Sequence, residues 1–302
     1  MKVVILMSTY NGEKYLREQL DSLMSLDDKS DIFIRDDGSS DETINIIKYY
    51  QSKFDNIMLL KGSNVGVVAS FFELMKAVDF YKYDYFAFCD QDDFWEHDKV
   101  SRAISCIKNT SGPVLYCSRL KVVDEFLNFK FLSPFPQKGL SFSNALVENI
   151  ITGCTCVLNR LAFQRIVERI PESKRIVMHD WWFYLVLINE GTIFFDDRSF
   201  IKYRQHGNNI EGMKKSFSKI INKFISTEKN KYPSLSVQLD EYYRLYVDKL
   251  TKDNKDILEQ LHQVLLNRDL LCFVRLLISR KIYRQSIMDN ISLLYSFLTK
   301  RI

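Results

Sequence analysis

Asp90-Gln91-Asp92-Asp93 places three carboxylates within four residues, directly after the apolar run Tyr83 to Cys89 and before Phe94-Trp95. Carboxylates this close repel one another, which is costly at a buried strand end unless a cation sits among them. Ligands of oxygen alone suit Mg2+ or Mn2+, ions that commonly bridge to substrate phosphates. The plainer alternative is a solvated acidic turn that caps a helix. Asp36-Asp37-Gly38-Ser39-Ser40-Asp41 carries the same ambiguity. It has the composition of a common D-G-S turn, yet a carboxylate at a strand end can also accept the imide N–H of uracil or thymine. Ser8-Thr9-Tyr10-Asn11 offers Tyr10 as a flat face on which a ring can stack, and a simple strand-to-helix turn is compatible with that role. His179-Asp180 precedes Trp181-Trp182 on an apolar segment. Partial desolvation there should raise the Asp180 carboxyl toward the range a general base needs. The modest alternative is an acid favoured by the helix dipole. His206 lies in the polar stretch Tyr203-Arg204-Gln205-His206-Gly207-Asn208-Asn209, with the chemistry to bind metal or phosphate, or merely to face solvent.

These residues need a frame to hold them. Lys2 to Met7 is a continuous apolar, β-branched run that suits a strand buried on both faces. Glu13 to Met24 has helical apolar spacing. Strands are then expected at Asp31 to Arg35, Asn56 to Leu60 and Tyr83 to Cys89, with helices at Glu42 to Ser52 and Ala69 to Phe80. Strands alternating with helices roughly every 30 residues predict βαβ units and a largely parallel sheet. In such sheets ligands bind at the carboxyl ends of the strands. Ser8 to Asn11, Asp36 to Asp41, Asn64 and Asp90 to Asp93 each follow a strand, so four loops should converge on one sheet edge.

The middle of the chain is less regular. Short strands are expected at Val114 to Ser118, Lys121 to Val123, Gly153 to Asn159, Thr192 to Phe195 and Ser199 to Arg204. Phe131 to Gly139 reads as a loop, and Ser143 to Ile150, Arg160 to Arg169 and His179 to Ile188 as helices. Beyond Gly212 there is no glycine, and Ile257, Leu258, Leu261, Val264 and Leu265 repeat in heptad fashion. Three or four helices follow, so the expected division is 1–212 and a helical extension, 213–302.

The 302 residues are 46% hydrophobic and 26% charged, which excludes a largely disordered chain. Forty-two basic residues against 38 acidic ones give a net charge of +4, too even to argue for a nucleic-acid partner. No run approaches the ~20 apolar residues a bilayer span requires, and no signal peptide is read at the start. The six cysteines are scattered among apolar neighbours and read as reduced, buried thiols rather than a disulfide framework or zinc site. The Gly-x-Gly-x-x-Gly, Walker and Gly-x-Ser-x-Gly patterns are missing, which removes the main support for dinucleotide oxidoreductase, P-loop and serine hydrolase readings.

Taken in order, Ser8-Thr9-Tyr10-Asn11-Gly12, Asp36 to Asp41, Asn64-Val65-Gly66, Asp90 to Asp93 and His179-Asp180-Trp181-Trp182 resemble the inverting glycosyltransferases of family 2 over residues 1 to about 210. Phe88 to Trp95, Gly153-Cys154 and Tyr203 to Asn209 bring the rhamnosyltransferase-like bacterial members closest. The resemblance implies a GT-A fold, a Rossmann-like, mostly parallel sheet flanked by helices, with the C-terminal helical extension added. It implies that Ser8 and Tyr10 line the nucleotide pocket, Asp37 binds the pyrimidine and Asn64 lies near base or ribose. Asp90 would contact ribose or sugar, Asp92 the Mn2+ or Mg2+ on the diphosphate, and Asp93 would position sugar or acceptor. Asp180 would be the catalytic base and His206 a further metal or phosphate ligand. His179 stands where the family often has Glu. The partners so implied are a dTDP- or UDP-sugar donor, rhamnose foremost, and a lipid-linked saccharide acceptor at the cytoplasmic membrane face. Phe217, Ile220, Ile221, Phe224 and Ile225 alternate with lysines in helical spacing. That amphipathic helix would either lie on an anionic membrane or pack on the catalytic half or a second subunit, as in a homodimer. A nucleotidyltransferase and a catalytically dead nucleotide-sugar-binding module are the competing functions.

Overall fold

The computed structural model describes residues 1–206 and 233–302. Its central feature is a nine-stranded mixed sheet in the order β3-β2-β1-β4-β8-β6-β9-β5, with β7 added on β6. β1 (Val3–Thr9), β2 (Asp31–Asp36), β3 (Ile57–Lys61) and β4 (Tyr85–Cys89) run parallel. Apolar residues fill β1 on both faces because α-helices cover both. Val3, Ile5 and Met7 pack with α1 (Leu16–Met24), α2 (Thr43–Gln51) and α4 (Lys99–Ile107) in one core. On β4, Phe86 stacks on Phe163 of α6 (Arg160–Val167) and Phe88 packs at a tilt against Phe71 of α3 (Val67–Ala77). Burying each such side chain contributes about 1.5–3 kcal/mol.

Strand register sets the functional edge. Thr9 pairs with Asp36, Asp36 with Lys61, and Met7 with Cys89. β1, β2 and β3 therefore end level and β4 two residues short of them, and the loops at 10–12, 37–41, 62–66 and 90–93 emerge at the same edge, as the alternation of elements predicted. β1 lies between β2 and β4, so chain order reverses beside it, at the kind of switch point where open sheets bind ligands.

Beyond β4 the structure differs in detail from the sequence expectation. β6 (Val114–Val123) and β9 (Thr192–Arg204) are each one strand rather than two, paired in parallel with register shifts at Ser118/Arg119 and Arg119/Lys121. Arg119 and the polar run Asp196 to Ser199 broke the apolar pattern where the ladder is irregular. Gly153–Thr155 is a 3-10 turn, leaving only Val157–Asn159 as β8. The expected loop at 131 overlaps β7 (Phe129–Leu132), and the helix expected from Ser143 is the single turn α5 (Phe142–Ala145). Phe94–Trp95 forms β5, antiparallel to β9.

Packing divides the described residues into two units. The sheet unit comprises Met1–Phe135, Ile151–Glu168 and 191–206, and the helical unit comprises Pro136–Ile150, Arg169–Glu190 and 233–302. The sequence division near 212 had placed 136–150 and 169–190 with the catalytic half. The reason for the grouping is α7 (His179–Glu190), whose residues 182 to 187 are all fully buried. A helix apolar all round needs cover on every side. Tyr242 and Tyr246 of α8 (Leu235–Tyr246) supply part of it, both edge-on to Trp182, and the Tyr242 hydroxyl donates to the Leu185 carbonyl at 3.0 Å. α9 (Lys252–Asn267) buries Leu258, Leu261, Val264 and Leu265, the heptad positions. α10 (Leu270–Ile278) and α11 (Ile287–Leu298) follow. Thr251, Asp269 and Ser286 cap the starts of α9, α10 and α11 with side-chain oxygens. The amphipathic stretch 214–225 and Gly207-Asn208-Asn209 lie outside the described residues.

Candidate active site

Two turns are locked by their own carboxylates. Asp36, buried at the end of β2, accepts from the Thr9 hydroxyl (3.0 Å), the Ser39 hydroxyl (2.6 Å) and the Ser39 amide (2.9 Å). Gly38 supplies the φ of +84° that this turn requires. Asp37 is also buried. Its oxygens accept from Arg35 at 2.5 Å and from the amides of Val65 and Gly66, each at 2.9 Å. The residue expected to meet the pyrimidine thus fastens the 63–66 loop, where Asn64 stands exposed. Arg35 extends the tie to Ser70, whose hydroxyl lies 2.6 Å from that of Ser8.

The first and fourth loops are joined by Gln91. Its side-chain oxygen accepts from the Tyr10 amide at 2.9 Å and its nitrogen donates to the Tyr10 carbonyl at 3.1 Å. This two-way bridge leaves the Tyr10 ring about half exposed at the edge. Asn11 adopts φ +46°, a conformation Asn tolerates, and its side chain accepts from the Ser40 amide. Ser8, Tyr10, Asp37, Asn64 and the Asp90–Asp93 loop are therefore held together at one sheet edge.

The carboxylates of the fourth loop have different surroundings. Asp93 is fully buried, one oxygen accepting from the Arg204 amide at 3.0 Å. Burial first, then the neighbouring Asp92 and Asp90 charges, push its carboxyl well above the usual range. Asp90, Asp93 and Cys154 offer donor atoms within 4.8 Å of one another. Burial holds the Cys154 thiol protonated, its pKa pushed well up, so this inner cluster is a poor match for an oxygen-seeking ion. Asp92 is partly buried, and its carboxylate lies at hydrogen-bond distance, 2.9 Å, from His206 Nε2. Two donors on one ion with bonds of about 2.1 Å stand about 3 Å apart in neighbouring octahedral positions. The separation of the two expected metal ligands matches that spacing for a Mn2+- or Mg2+-sized ion as well as it matches the direct hydrogen bond they make here.

Sequence reasoning assigned no role to Arg204, although this residue organises the site. It is about 1% exposed and donates from Nε to the Asp92 carbonyl (2.9 Å), from one terminal nitrogen to the Glu125 carbonyl (2.5 Å) and from the other to Glu18 (2.5 Å). Its guanidinium also lies 4.5 Å from the centre of the Tyr15 ring, which in turn packs on His206 at 4.8 Å. Short β5 makes this possible by zipping Phe94 beside Lys202, so that Asp92-Asp93 meet the end of β9. Beneath the loop, Lys99 is buried with its ammonium 3.5 Å from the centre of the Trp95 ring, and burial lowers its pKa to about 8. A lysine at the first position of an amphipathic helix gave no signal of such burial.

Asp180 belongs to the helical unit, in the first turn of α7. It is nearly buried and accepts at one oxygen from Asn149 (2.9 Å) and the Trp181 amide (2.7 Å). Trp181 donates to the Ala145 carbonyl, which fixes the turn. His179 beside it is buried edge-on to Phe183, and burial depresses its pKa to about 3, so the imidazole is neutral.

The sheet unit thus carries a polar edge at the ends of its parallel strands, the arrangement of an α/β protein that binds a ligand there. The Glycosyl transferase family 2 profile matches residues 4–170. The dTDP-rhamnosyl transferase RfbG of Shigella flexneri is 32% identical over 254 residues, covering 81% of this chain and 83% of that one. Among solved structures, TarS 1-349 of S. aureus in complex with UDP aligns with a TM-score of 0.59 at 18% identity, over 90% of this chain and 72% of that one. Mannosyltransferase PcManGT of Pyrobaculum calidifontis, in complex with GDP-Man and Mn2+, aligns at 0.50 and 15% identity, over 88% and 70% of the two chains. The chain belongs to glycosyltransferase family 2. It is a glycosyltransferase that draws on a nucleotide-sugar donor, has a GT-A-like fold and is similar to bacterial rhamnosyltransferases. This sets aside the nucleotidyltransferase and the dead binding module.

Proposed function

We propose that the protein moves rhamnose from dTDP-rhamnose to a lipid-linked saccharide, inverting the anomeric carbon. The likeness to the Shigella flexneri enzyme over most of both chains supports the donor. The observation that carries the reading is the Asp92–His206 pair at the shared ends of the parallel strands. Asp92 and His206 would hold Mn2+ or Mg2+. The ion would neutralise charge developing on the departing diphosphate. Ser8, Tyr10, Asp37 and Asn64 would shape the nucleoside pocket, with Tyr10 stacking on the base, and Asp90 and Asp93 would set the sugar. Asp180 takes the proton of the acceptor hydroxyl as that oxygen bonds to the anomeric carbon. The bond from that carbon to the diphosphate breaks in the same displacement, and the nucleoside diphosphate leaves. One in-line displacement inverts configuration, and no protein nucleophile is required.

Among the described residues no helix is long and apolar enough to cross a membrane. In the proposed reading the lipid-linked acceptor is met at the cytoplasmic face of the membrane. The test is donor hydrolysis across dTDP-rhamnose, UDP-glucose, UDP-galactose and UDP-N-acetylglucosamine, with Mn2+ and with EDTA. The reading expects turnover of dTDP-rhamnose that EDTA abolishes. Preference for a UDP-sugar would overturn the donor, and full activity in EDTA would overturn the metal.

A further inference from the structure

The helical unit ends in two helices whose solvent faces are apolar. On α11, Ile287, Met288, Ile291 and Leu298 are exposed, with Leu294 half-buried between them. That spacing of i, i+4, i+7 and i+11 is one stripe of a helix. α10 repeats the pattern with Leu270, Leu271 and Ile278 exposed and Val274 half-buried. Leu271, Ile278 and Ile287 are 81%, 79% and 76% exposed, the reverse of what large aliphatic side chains usually do. The two helices already have a core of their own, with Phe273 stacked on Phe297 at 4.1 Å and Leu276 and Leu293 buried. The stripes are therefore surplus to packing within the hairpin.

Charge says what fits them. Residues 266–302 hold seven basic side chains and two acidic ones. Arg268, Arg275, Arg280, Lys281, Lys300 and Arg301 are exposed, and Asp269 is the one exposed acid of this segment. A second copy of the chain would set these cations against their own kind. An anionic lipid surface complements both the apolar stripes and the basic rim. The turn between the helices is also wired to the catalytic helix of the same unit. Arg284 donates to the Val147 carbonyl and the Gln285 amide to Glu148, each at 2.8 Å, and the next residue, Asn149, donates to Asp180.

We propose that the α10–α11 hairpin is a membrane-surface contact, which seats the helical unit on anionic lipid and so presents lipid-linked acceptors to Asp180. This deepens the acceptor reading given above and rests on it. The test uses the full chain in vesicle co-sedimentation, without donor or acceptor. Vesicles are phosphatidylcholine alone or mixed in equal parts with phosphatidylglycerol. The wild type should bind the mixed vesicles, bind pure phosphatidylcholine weakly, and release on raising salt. The triple variant Leu271→Ser, Ile278→Ser, Ile287→Ser should lose at least roughly 10-fold in vesicle affinity. It should keep wild-type hydrolysis of soluble donor, which shows that it folds. Absent binding by the wild type, or undiminished binding by a variant active on soluble donor, overturns the proposal. So does a wild-type dimer, in sedimentation velocity, that the same substitutions dissociate, because the face is then a subunit contact. Comparing transfer to a lipid-linked and a lipid-free saccharide tests the acceptor reading separately.

Discussion

Replacing Arg204 by lysine keeps the charge and removes the fork. The guanidinium reaches three acceptors in different directions, the Asp92 carbonyl, the Glu125 carbonyl and Glu18. A lysine ammonium on its single stem can keep one of them. Glu18 is 56% exposed, so water replaces that partner at a cost of about 0–1 kcal/mol. Each carbonyl stripped of a charged donor costs about 1.5–3 kcal/mol. With one carbonyl kept, Arg204→Lys should destabilise the fold by about 2–4 kcal/mol. That corresponds to a fall of about 3–6 °C in melting temperature for a chain of 302 residues. The functional loss should be larger. Asp92 loses the clamp on its own backbone, and His206 loses the edge of the Tyr15–Arg204 stack. Misplacement on the order of 1 Å costs about 100-fold in rate. The assay pairs thermal melting with donor turnover titrated against Mn2+, and Glu18→Gln is the control, expected to shift stability by less than about 1 kcal/mol. An Arg204→Lys enzyme melting and turning over as the wild type does would refute the claim that this fork builds the metal edge.

Other substitutions separate the remaining contributions. Asp92→Asn and His206→Ala should each lower metal-dependent donor turnover by at least about 100-fold while melting as the wild type does, and isothermal titration with Mn2+ should show weakened binding in both. Gly12→Ala would drive a methyl into the Gln91 amide. The broken bridge between Tyr10 and the Asp90–Asp93 loop should raise donor KM more than it lowers kcat. His179 supplies a pH test. Its folded pKa of about 3 lies below the unfolded value of about 6.5, so the unfolded chain binds the extra proton. Its contribution to stability is full above about pH 6.5 and is lost as pH falls toward 3, at about 1.4 kcal/mol per unit. Between pH 7.5 and 5 the wild type should lose about 2 kcal/mol more than His179→Phe in urea melts, and parallel losses would contradict a buried neutral imidazole.

The parallel half of the sheet was legible because each of its strands is an apolar run ended by a polar loop, so periodicity and punctuation agree. The same logic puts Asp37, Asn64 and Asp90–Asp93 at one edge from the sequence alone. Arg204 escaped because its importance comes from β5, two residues long, too short for any periodic signal. Gln91 escaped because a glutamine between aspartates is indistinguishable from filler until its amide is seen spanning the Tyr10 backbone. The grouping of 136–150 and 169–190 with the C-terminal helices depends on what covers α7, a tertiary fact that local pattern does not encode. The register shifts in β6 and β9 likewise made two long strands read as four short ones.

In the proposed reaction a sheet edge grips the donor and the buried Asp180 carboxylate activates the acceptor. The most direct test is Asp180→Asn, with transfer rate and donor dissociation constant measured on the same preparation. The account predicts a loss of about 100- to 10,000-fold in transfer, with donor affinity within about a factor of two. Transfer at the wild-type rate, or loss of donor binding in step with loss of transfer, would contradict it.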